Sequence, residues 1–415
     1  MKVLGIIAEY NPFHLGHLYH IKKSKELVQP DFTIAVMSGN FTQRGEAAIV
    51  DKWIRAETAI RNGIDLVLEL PVVYAVQTAE LFAYGGIQVL NHTGLTTHVS
   101  FGSEIGDLAP LKRVANVLVS EDEAFKGLLK GYLQQGLSFP TARYRALVAY
   151  LQPTNQVDQE WNKVLASSNS ILAIEYLKAL KRTKSTILPI TIPRINSAYH
   201  SPKLKKGISS ATSIRNEILN HGLSEKVREA VPSATFDILS KAFSENNGPV
   251  GNHSLEDLLL GIIRRSSLSE ISTWLDVNEG LENRIKDSAM SATNLSDLLS
   301  SIKTKRYVHT RLQRILTHGL LNLTTEKFST LNTGNGPKYI RILAFSTKAA
   351  ELMKKLKETS IVPVLTKAAH SSRYEQQLQE MFAFDCLATD LYSLGVNNPL
   401  LRTGGRDFTQ GIFML

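Results

Sequence analysis

Over the first 105 residues, short apolar runs alternate with longer stretches whose apolar positions recur at helical spacing. Val3–Ala8, Phe32–Met37, Ile64–Leu70 and His98–Phe101 read as strands, because near-continuous Val, Ile, Leu and Phe marks a strand covered on both faces. Helices are expected between them at about Leu15–Val28, Ala48–Arg61 and Gln77–Asn91, with Asn62-Gly63 capping the second. Strand–helix–strand repetition requires right-handed crossovers, which places the strands in a parallel, doubly wound sheet. The expected class is therefore α/β, with any ligand at the carboxyl ends of the strands.

Beyond residue 105 the pattern changes. Residues 107–183 look mostly helical, Ser185–Ile192 returns as a strand, and Ile214 to Leu219 begins another helix. Ser244–Asn252, carrying Asn-Asn-Gly-Pro, has the punctuation of a linker or exposed loop. Leu255–Leu323 is helix-patterned; a strand is expected at Tyr339–Phe345 and helices at about Thr347–Leu356 and Tyr374–Leu391. The organisation this predicts is an α/β domain over residues 1–222 and a mostly helical region over 223–415.

Composition narrows the class. With 43% hydrophobic and 20% charged residues, the 415-residue chain can fill proper cores, which excludes disordered and collagen-like classes. A single cysteine, Cys386, rules out an internal disulfide framework and any multi-cysteine metal site. No apolar run approaches the roughly 20 residues that span a bilayer, and the run before Glu9 is too short for a signal-peptide core, so a cytoplasmic protein is expected. Forty-seven Lys and Arg against 38 Asp and Glu give a net charge of +9, which suits phosphate-rich partners and equally suits a plain basic enzyme.

The sharpest local feature follows the first strand: Ala8-Glu-Tyr-Asn-Pro-Phe-His14-Leu-Gly-His17. A strand ending here and a helix beginning inside His-x-Gly-His give the pattern a physical logic. Gly16 leaves room for close approach, the helix start offers N–H groups and a positive dipole to an anion, and His14 and His17 share one face of the first turn. There they can donate hydrogen bonds to a triphosphate and to the charge that grows on its α-phosphate under attack. Chance would produce the bare tetrapeptide only about 0.02 times in a chain of this composition. Histidines that merely satisfy a helix cap are the plainer alternative. A metal site using His20 as well is disfavoured, since position i+6 turns away from i and no carboxylate or cysteine completes the set.

This placement resembles the HxGH nucleotidyltransferase superfamily, relatives of class I aminoacyl-tRNA synthetases, whose Rossmann-like domain binds ATP. A second signature of that group is matched by Gly207-Ile-Ser-Ser210-Ala-Thr212-Ser-Ile-Arg215 after a Lys-rich loop (Lys203, Lys205, Lys206), with Ala211 where a second serine is usual. Ser210, Thr212 and Arg215 there would hold the outer phosphates, an ordinary helix cap being the alternative. The resemblance narrows over most of the chain, from residue 2 to about residue 345. The segments Ile7–His20, Gly39–Glu46, Lys52–Glu57, Asp65–Pro71, Phe101–Glu104, Asn169–Tyr176, Arg194 through Tyr199-His200, and Lys303–Arg311 together are similar to the bacterial tRNA(Met) cytidine acetate ligase family. Ser201 stands where relatives usually carry an acid.

The resemblance implies a Rossmann-like nucleotidyltransferase domain and a two-step reaction. ATP and acetate give acetyl-adenylate and pyrophosphate, and the acetyl group then passes to the exocyclic amine of the wobble cytidine of elongator tRNA(Met). It implies His14 and His17 as catalytic and assigns ATP contacts to Ile7, Ala8, Glu9, Tyr10, Asn11, Pro12, Phe13, His14, Leu15, Gly16, His17, Leu18, Tyr19 and His20, and to Gly102, Asn169 and Arg194. Read alone, Gly102 is equally a strand-ending turn, Asn169 a helix cap and Arg194 a surface arginine. Mg2+ is expected to accompany ATP, and the sequence names no ligands for it.

The RNA partner has its own signal. Residues 303–314 carry Lys303, Lys305, Arg306, Arg311 and Arg314 with no acid, and as a helix would show Lys303, Tyr307, Arg311 and Arg314 on one face and Val308, Leu312, Ile315 and Leu316 on another. A phosphate-binding helix anchored by its apolar side is expected, a merely solvated face being the alternative; Arg264-Arg265 and Lys354-Lys355 would extend the patch. Arg44 is open between a phosphate or acetate contact and a solvated loop residue. Walker A, Gly-x-Gly-x-x-Gly, His-Glu-x-x-His and Gly-x-Ser-x-Gly are all absent. The competing readings are an adenylyltransferase acting on a small metabolite and a non-catalytic RNA-binding protein.

Overall fold

The computed structural model describes all residues except 152–160, 162–163, 166, 195–208 and 305–306. Lys203, Lys205, Lys206, Gly207, the Tyr199–Ser201 segment, Lys305 and Arg306 therefore lie outside the described residues.

Eight strands form one sheet: β1 (Val3–Ala8), β2 (Phe32–Ser38), β3 (Leu66–Leu70), β4 (His98–Ser103), β5 (Leu188–Pro193), β6 (Ile340–Phe345), β7 (Val364–Leu365) and β8 (Phe413–Met414). The order is β5-β4-β1-β2-β3-β6-β7, with β8 paired to β6. β5 through β3 are parallel, so the chain reverses direction in space at β1, between β4 and β2. The six helices labelled below are α1 (Leu15–Val28), α2 (Lys52–Arg61), α3 (Ala79–His92), α4 (Ser168–Arg182), α5 (Ala211–His221) and α6 (His309–Leu320).

Alternation along β1 and β2 explains why both faces are apolar. Leu4, Ile6, Ala35 and Met37 face α1 and α2, where Ile21, Val28, Trp53, Ala56 and Ile60 close over them. Val3, Ile34 and Val36 face the other way onto Phe82, Ala83, Ile87 and Leu90 of α3. At Gly5 a Cβ would sit 2.7 Å from the Leu90 side chain, so the glycine is what lets the central strand and α3 come this close.

Three expectations change. First, α2 begins at Lys52 rather than Ala48, because the Asp51 carboxylate accepts the N–H groups of Trp53 and Ile54 at 3.0 and 2.9 Å and sets the helix start. Second, Ser244–Asn252 is not an exposed linker: Val250 is buried and its N–H donates to the Ile49 carbonyl at 2.9 Å. Its Gly and Pro mark a chain reversal, and reversal does not require exposure. Third, a division at residue 222 separates helices but not the sheet. β6 pairs antiparallel with β3, matching Glu69 to Arg341, and β7 and β8 follow it, so the second half of the chain finishes the sheet of the first.

Candidate active site

The cavity at the carboxyl edge of the sheet encloses about 530 Å³, a size that suits a nucleotide-sized ligand. Its floor is the turn after β1. Tyr10 has a positive φ of 48°, Asn11-Pro12 is cis, and His14 is the extended cap residue of α1. Asn11 anchors the turn, its Oδ1 accepting the Ile49 N–H at 2.8 Å. Tyr10 and Phe13 pack into the apolar layer under α1, with ring centroids 4.8 Å apart.

The two histidines build the cap themselves. His14 Nδ1 accepts the Gly16 N–H at 3.0 Å, and His17 Nδ1 accepts the His14 N–H at 3.3 Å. The free N–H groups expected at this helix start are thus partly spent on the imidazoles, since a side-chain acceptor this close competes for them. The consequence fixes the chemistry. With both Nδ1 atoms accepting, the ring proton of each neutral imidazole is on Nε2, and two Nε2–H donors are what the stacked rings, 3.8 Å between centroids, offer to the cavity. Burial, with Arg194 and Arg215 nearby, pushes His14 down to about 3. Burial, with His14 and Arg194, likewise holds His17 well below the imidazole range. Both are neutral donors at physiological pH. His20 also lines the cavity, but its Nε2 is 2.9 Å from Ser100 Oγ of β4, and burial with Arg194 lowers it to about 4. No group of three or more His, Cys, Asp or Glu able to hold a metal occurs among the described residues.

The other predicted residues arrive from separate elements. Gly102, near the end of β4, lies beneath Arg194: a Cβ at Gly102 would approach Arg194 Cγ to 3.4 Å. The Arg194 N–H donates to Ser103 O at 3.0 Å, continuing the β4–β5 ladder past Pro193. Asn169, in the first turn of α4, spends its amide on Glu104, donating to Oε1 at 2.6 Å; Ser167 and Ser170 bond the other oxygen. Burial would raise that carboxyl, but the donors from Asn169, Ser167 and Ser170 outweigh it and hold Glu104 below the usual range. Ser210 caps α5, accepting the Ser213 N–H at 3.1 Å, while Ala211 and Thr212 line the cavity beside it. Arg215 donates to the Asn11 carbonyl at 2.9 Å and pairs with Glu46 at 2.8 Å. Ile7, Ala8, Glu9, Gly16 and Tyr19 also line the cavity, whereas Pro12, Leu15 and Leu18 support the turn from outside it.

The basic segment departs most from expectation. The helix starts at His309, so Lys303 ends the preceding helix Leu295–Ile302, and Tyr307 precedes α6 and is buried while Val308 is exposed. Arg311 donates to Asp276 O and Asn278 Oδ1, both at 3.1 Å, over the Tyr307 ring. Arg314 is not on a solvent face: it is 9% exposed, lines the cavity with Thr310, and its Nε has no hydrogen-bond partner among the described residues. What turns α6 inward is its packing on the loop after β2. Thr317 Oγ1 donates to Gly45 O at 2.7 Å, and Gly45, at φ +80°, lies against the Arg314 backbone where a Cβ would reach 2.9 Å from Cα. Sequence reasoning also left out the apolar wall of Phe82, Phe101, Leu172 and Tyr176. Their spacing is that of core residues, and only the closure of α3 and α4 over the β4 end brings them to the cavity.

A mostly parallel sheet with its ligand cavity at the strand ends, floored by a histidine-capped turn, is the architecture of a nucleotidyltransferase. The chain matches the HIGH Nucleotidyl Transferase family model over residues 1–407. It is 42% identical over 419 residues to the tRNA(Met) cytidine acetate ligase of Acetivibrio thermocellus and 44% identical over 417 residues to that of Thermoanaerobacter sp. strain X514, in each case covering 100% of both chains. Among solved structures, Thermotoga maritima TmcAL bound with alpha-thio ATP superposes with a TM-score of 0.93 at 38% identity, and the apo form with 0.95, again over 100% of both chains. The chain belongs to the tRNA(Met) cytidine acetate ligase family.

Proposed function

We propose that this chain activates acetate with ATP and transfers the acetyl group to the exocyclic amine of the wobble cytidine of elongator tRNA(Met), in the cytoplasm. The observation that carries this reading is the pair of neutral, mutually capped histidines in a chain that aligns end to end with ligases of that name. ATP would lie over the turn Ile7–His20, with its base and ribose toward Gly102, Asn169 and Arg194 and its outer phosphates toward Ser210, Thr212 and Arg215. No protein nucleophile is required. The acetate carboxylate attacks the α-phosphorus and pyrophosphate leaves, so the protein's task is alignment and stabilisation of negative charge.

Two Nε2–H donors suit that task because neutral histidines need no counter-ion in the resting cavity, and the nearby guanidiniums of Arg44, Arg194, Arg215 and Arg314 supply the positive field. Mg2+ would enter on the ATP phosphates. tRNA would approach over the α6 side, where Lys303 and Arg311 contact backbone phosphate while Arg314 serves inside the cavity; Lys305 and Arg306 of the same basic run would add phosphate contacts. Anticodon loops permit the target base to be splayed out into such a pocket.

Incubation with ATP, radiolabelled acetate and elongator tRNA(Met) tests the reading, followed by nucleoside mass spectrometry. Label in N4-acetylcytidine is the expected result. Label confined to a small nucleotide product would point instead to an adenylyltransferase, and no nucleotide turnover at all to a binding protein.

A further inference from the structure

The transfer step needs something that adenylation does not. The exocyclic amine of cytidine is a weak nucleophile, its lone pair shared with the ring, and it must shed a proton as it attacks. A base for that proton has to line the cavity and have a lone pair to spare. Only two carboxylates line it among the described residues, Glu9 and Glu46. Glu46 is committed, its Oε2 held by Arg215 at 2.8 Å. Glu9 stands directly after β1, at the entry to the histidine turn. Its Oε1 accepts the Gln43 N–H at 2.8 Å, which orients the carboxylate, and no hydrogen bond from a described residue reaches Oε2. The backbone beneath is equally fixed, because Arg55 Nη1 donates to the Glu9 carbonyl at 2.6 Å.

We infer that Glu9 is the general base of acetyl transfer, its Oε2 accepting an N4–H of the target cytidine and then taking that proton. The same contact recognises the base, since a carboxylate is the natural acceptor for the cytosine amino group. In the step, the N4 lone pair attacks the carbonyl carbon of acetyl-adenylate. The bond from that carbon to the phosphate oxygen breaks, and its electrons leave with AMP. The N4 proton moves to Glu9 and from there to water. Among the described residues, the groups facing Glu9 are Gln43, Arg44 and Glu46 from the loop after β2, Arg55 from α2, Arg215 from α5 and Tyr176 from α4. Burial raises the Glu9 carboxyl, Gln43 N–H, Arg215 and Arg44 lower it, Glu46 raises it, and the net direction is upward.

The inference rests on the ligase reading, so the test measures the half-reactions separately: acetate-dependent ATP–pyrophosphate exchange, and single-turnover acetylation of elongator tRNA(Met). Glu9→Gln keeps the acceptor for Gln43 and removes the basic oxygen. The ratio of transfer to exchange should fall by about 100-fold, with acetyl-adenylate accumulating. Glu9→Asp should recover part of it, and the acid-side inflection in the wild-type transfer rate should vanish in E9Q. Equal losses in both half-reactions would make Glu9 structural, and an unaltered ratio or a retained inflection would remove its role; thermal unfolding of each variant separates either result from misfolding. Wild-type protein that never acetylates tRNA would instead overturn the ligase reading, and Glu9's role with it.

Discussion

Around Lys52, where β3 meets β6, each buried charge sits beside one of opposite sign. Lys52 Nζ lies 2.8 and 3.1 Å from the two oxygens of Glu69 and 2.7 Å from Asp407, Arg341 reaches Asp407 at 2.5 Å and Glu69 at 3.4 Å, and Arg406 pairs with Asp51 at 2.9 Å. Around His14 the opposite holds. The imidazoles stay neutral, their Nδ1 atoms satisfied by backbone, and Arg314 brings a guanidinium into the cavity wall with no carboxylate paired to it among the described residues. Burying charge beside opposite charge limits its cost, whereas guanidiniums and neutral donors gathered around a cavity make a surface that suits an anionic ligand. The first cluster joins residues 52, 69, 341 and 407 and holds the last strands against the first; the second is kept open for chemistry.

The comparison is broken most severely at Lys52. Lys52→Met strands the excess negative charge of Glu69 and Asp407 in a fully buried setting and should cost about 3–5 kcal/mol of stability, read as a lowered denaturation midpoint. Catalysis per folded molecule should be little changed. The opposite profile is expected from His17→Ala. Removing one donor to developing charge should slow adenylation by roughly 100- to 1,000-fold, measured by pyrophosphate exchange, with only the loss of a cap, about 1 kcal/mol, in stability. If both variants lose stability and catalysis in parallel, the distinction between the two clusters is wrong.

The smallest effect sharpens the electrostatic side. His14 at about 3 and His20 at about 4 are depressed in the folded state relative to an unfolded imidazole near 6.5. Between these values the unfolded chain binds more protons, so their contribution to stability is complete above about pH 6.5 and is lost as pH falls towards 4 and then 3. Urea midpoints across this window should decline with falling pH, and the slope should flatten in His20→Asn. Adenylation should show no histidine inflection near pH 6.5, since both rings are already neutral there.

Much of the first half was legible because its determinants are local. The near-continuous apolar runs of β1 to β4 and the helical spacing after them are properties of neighbouring residues, and Leu15–Val28 forms the helix its pattern predicts. The histidine pair was legible for the same reason: three-residue spacing on a helix sets one face whatever else folds around it. Asn169 was half legible. A cluster of small polar residues before a helix marks a helix start, but Glu104, which takes its amide, sits 65 residues earlier, and nothing in either segment states that they meet.

The basic segment shows the limit most clearly. Read as an isolated helix, residues 303–314 divide into a cationic and an apolar face, and Arg314 belongs to the solvent. In the fold, Gly45 at positive φ allows the loop after β2 to touch the α6 backbone, and that contact rotates Arg314 into the cavity. The antiparallel entry of β6 beside β3 was hidden likewise, because a strand's own residues set that it is extended and apolar, not which edge it joins. By itself, then, the sequence determined most of the elements and the placing of His14 and His17 at the β1–α1 turn, since short-range sterics and capping act within a few residues. Tertiary structure alone decided which distant charges meet, closing the Lys52 cluster and opening the cavity wall, because pairing energies between residues hundreds apart exist only once burial has brought them together.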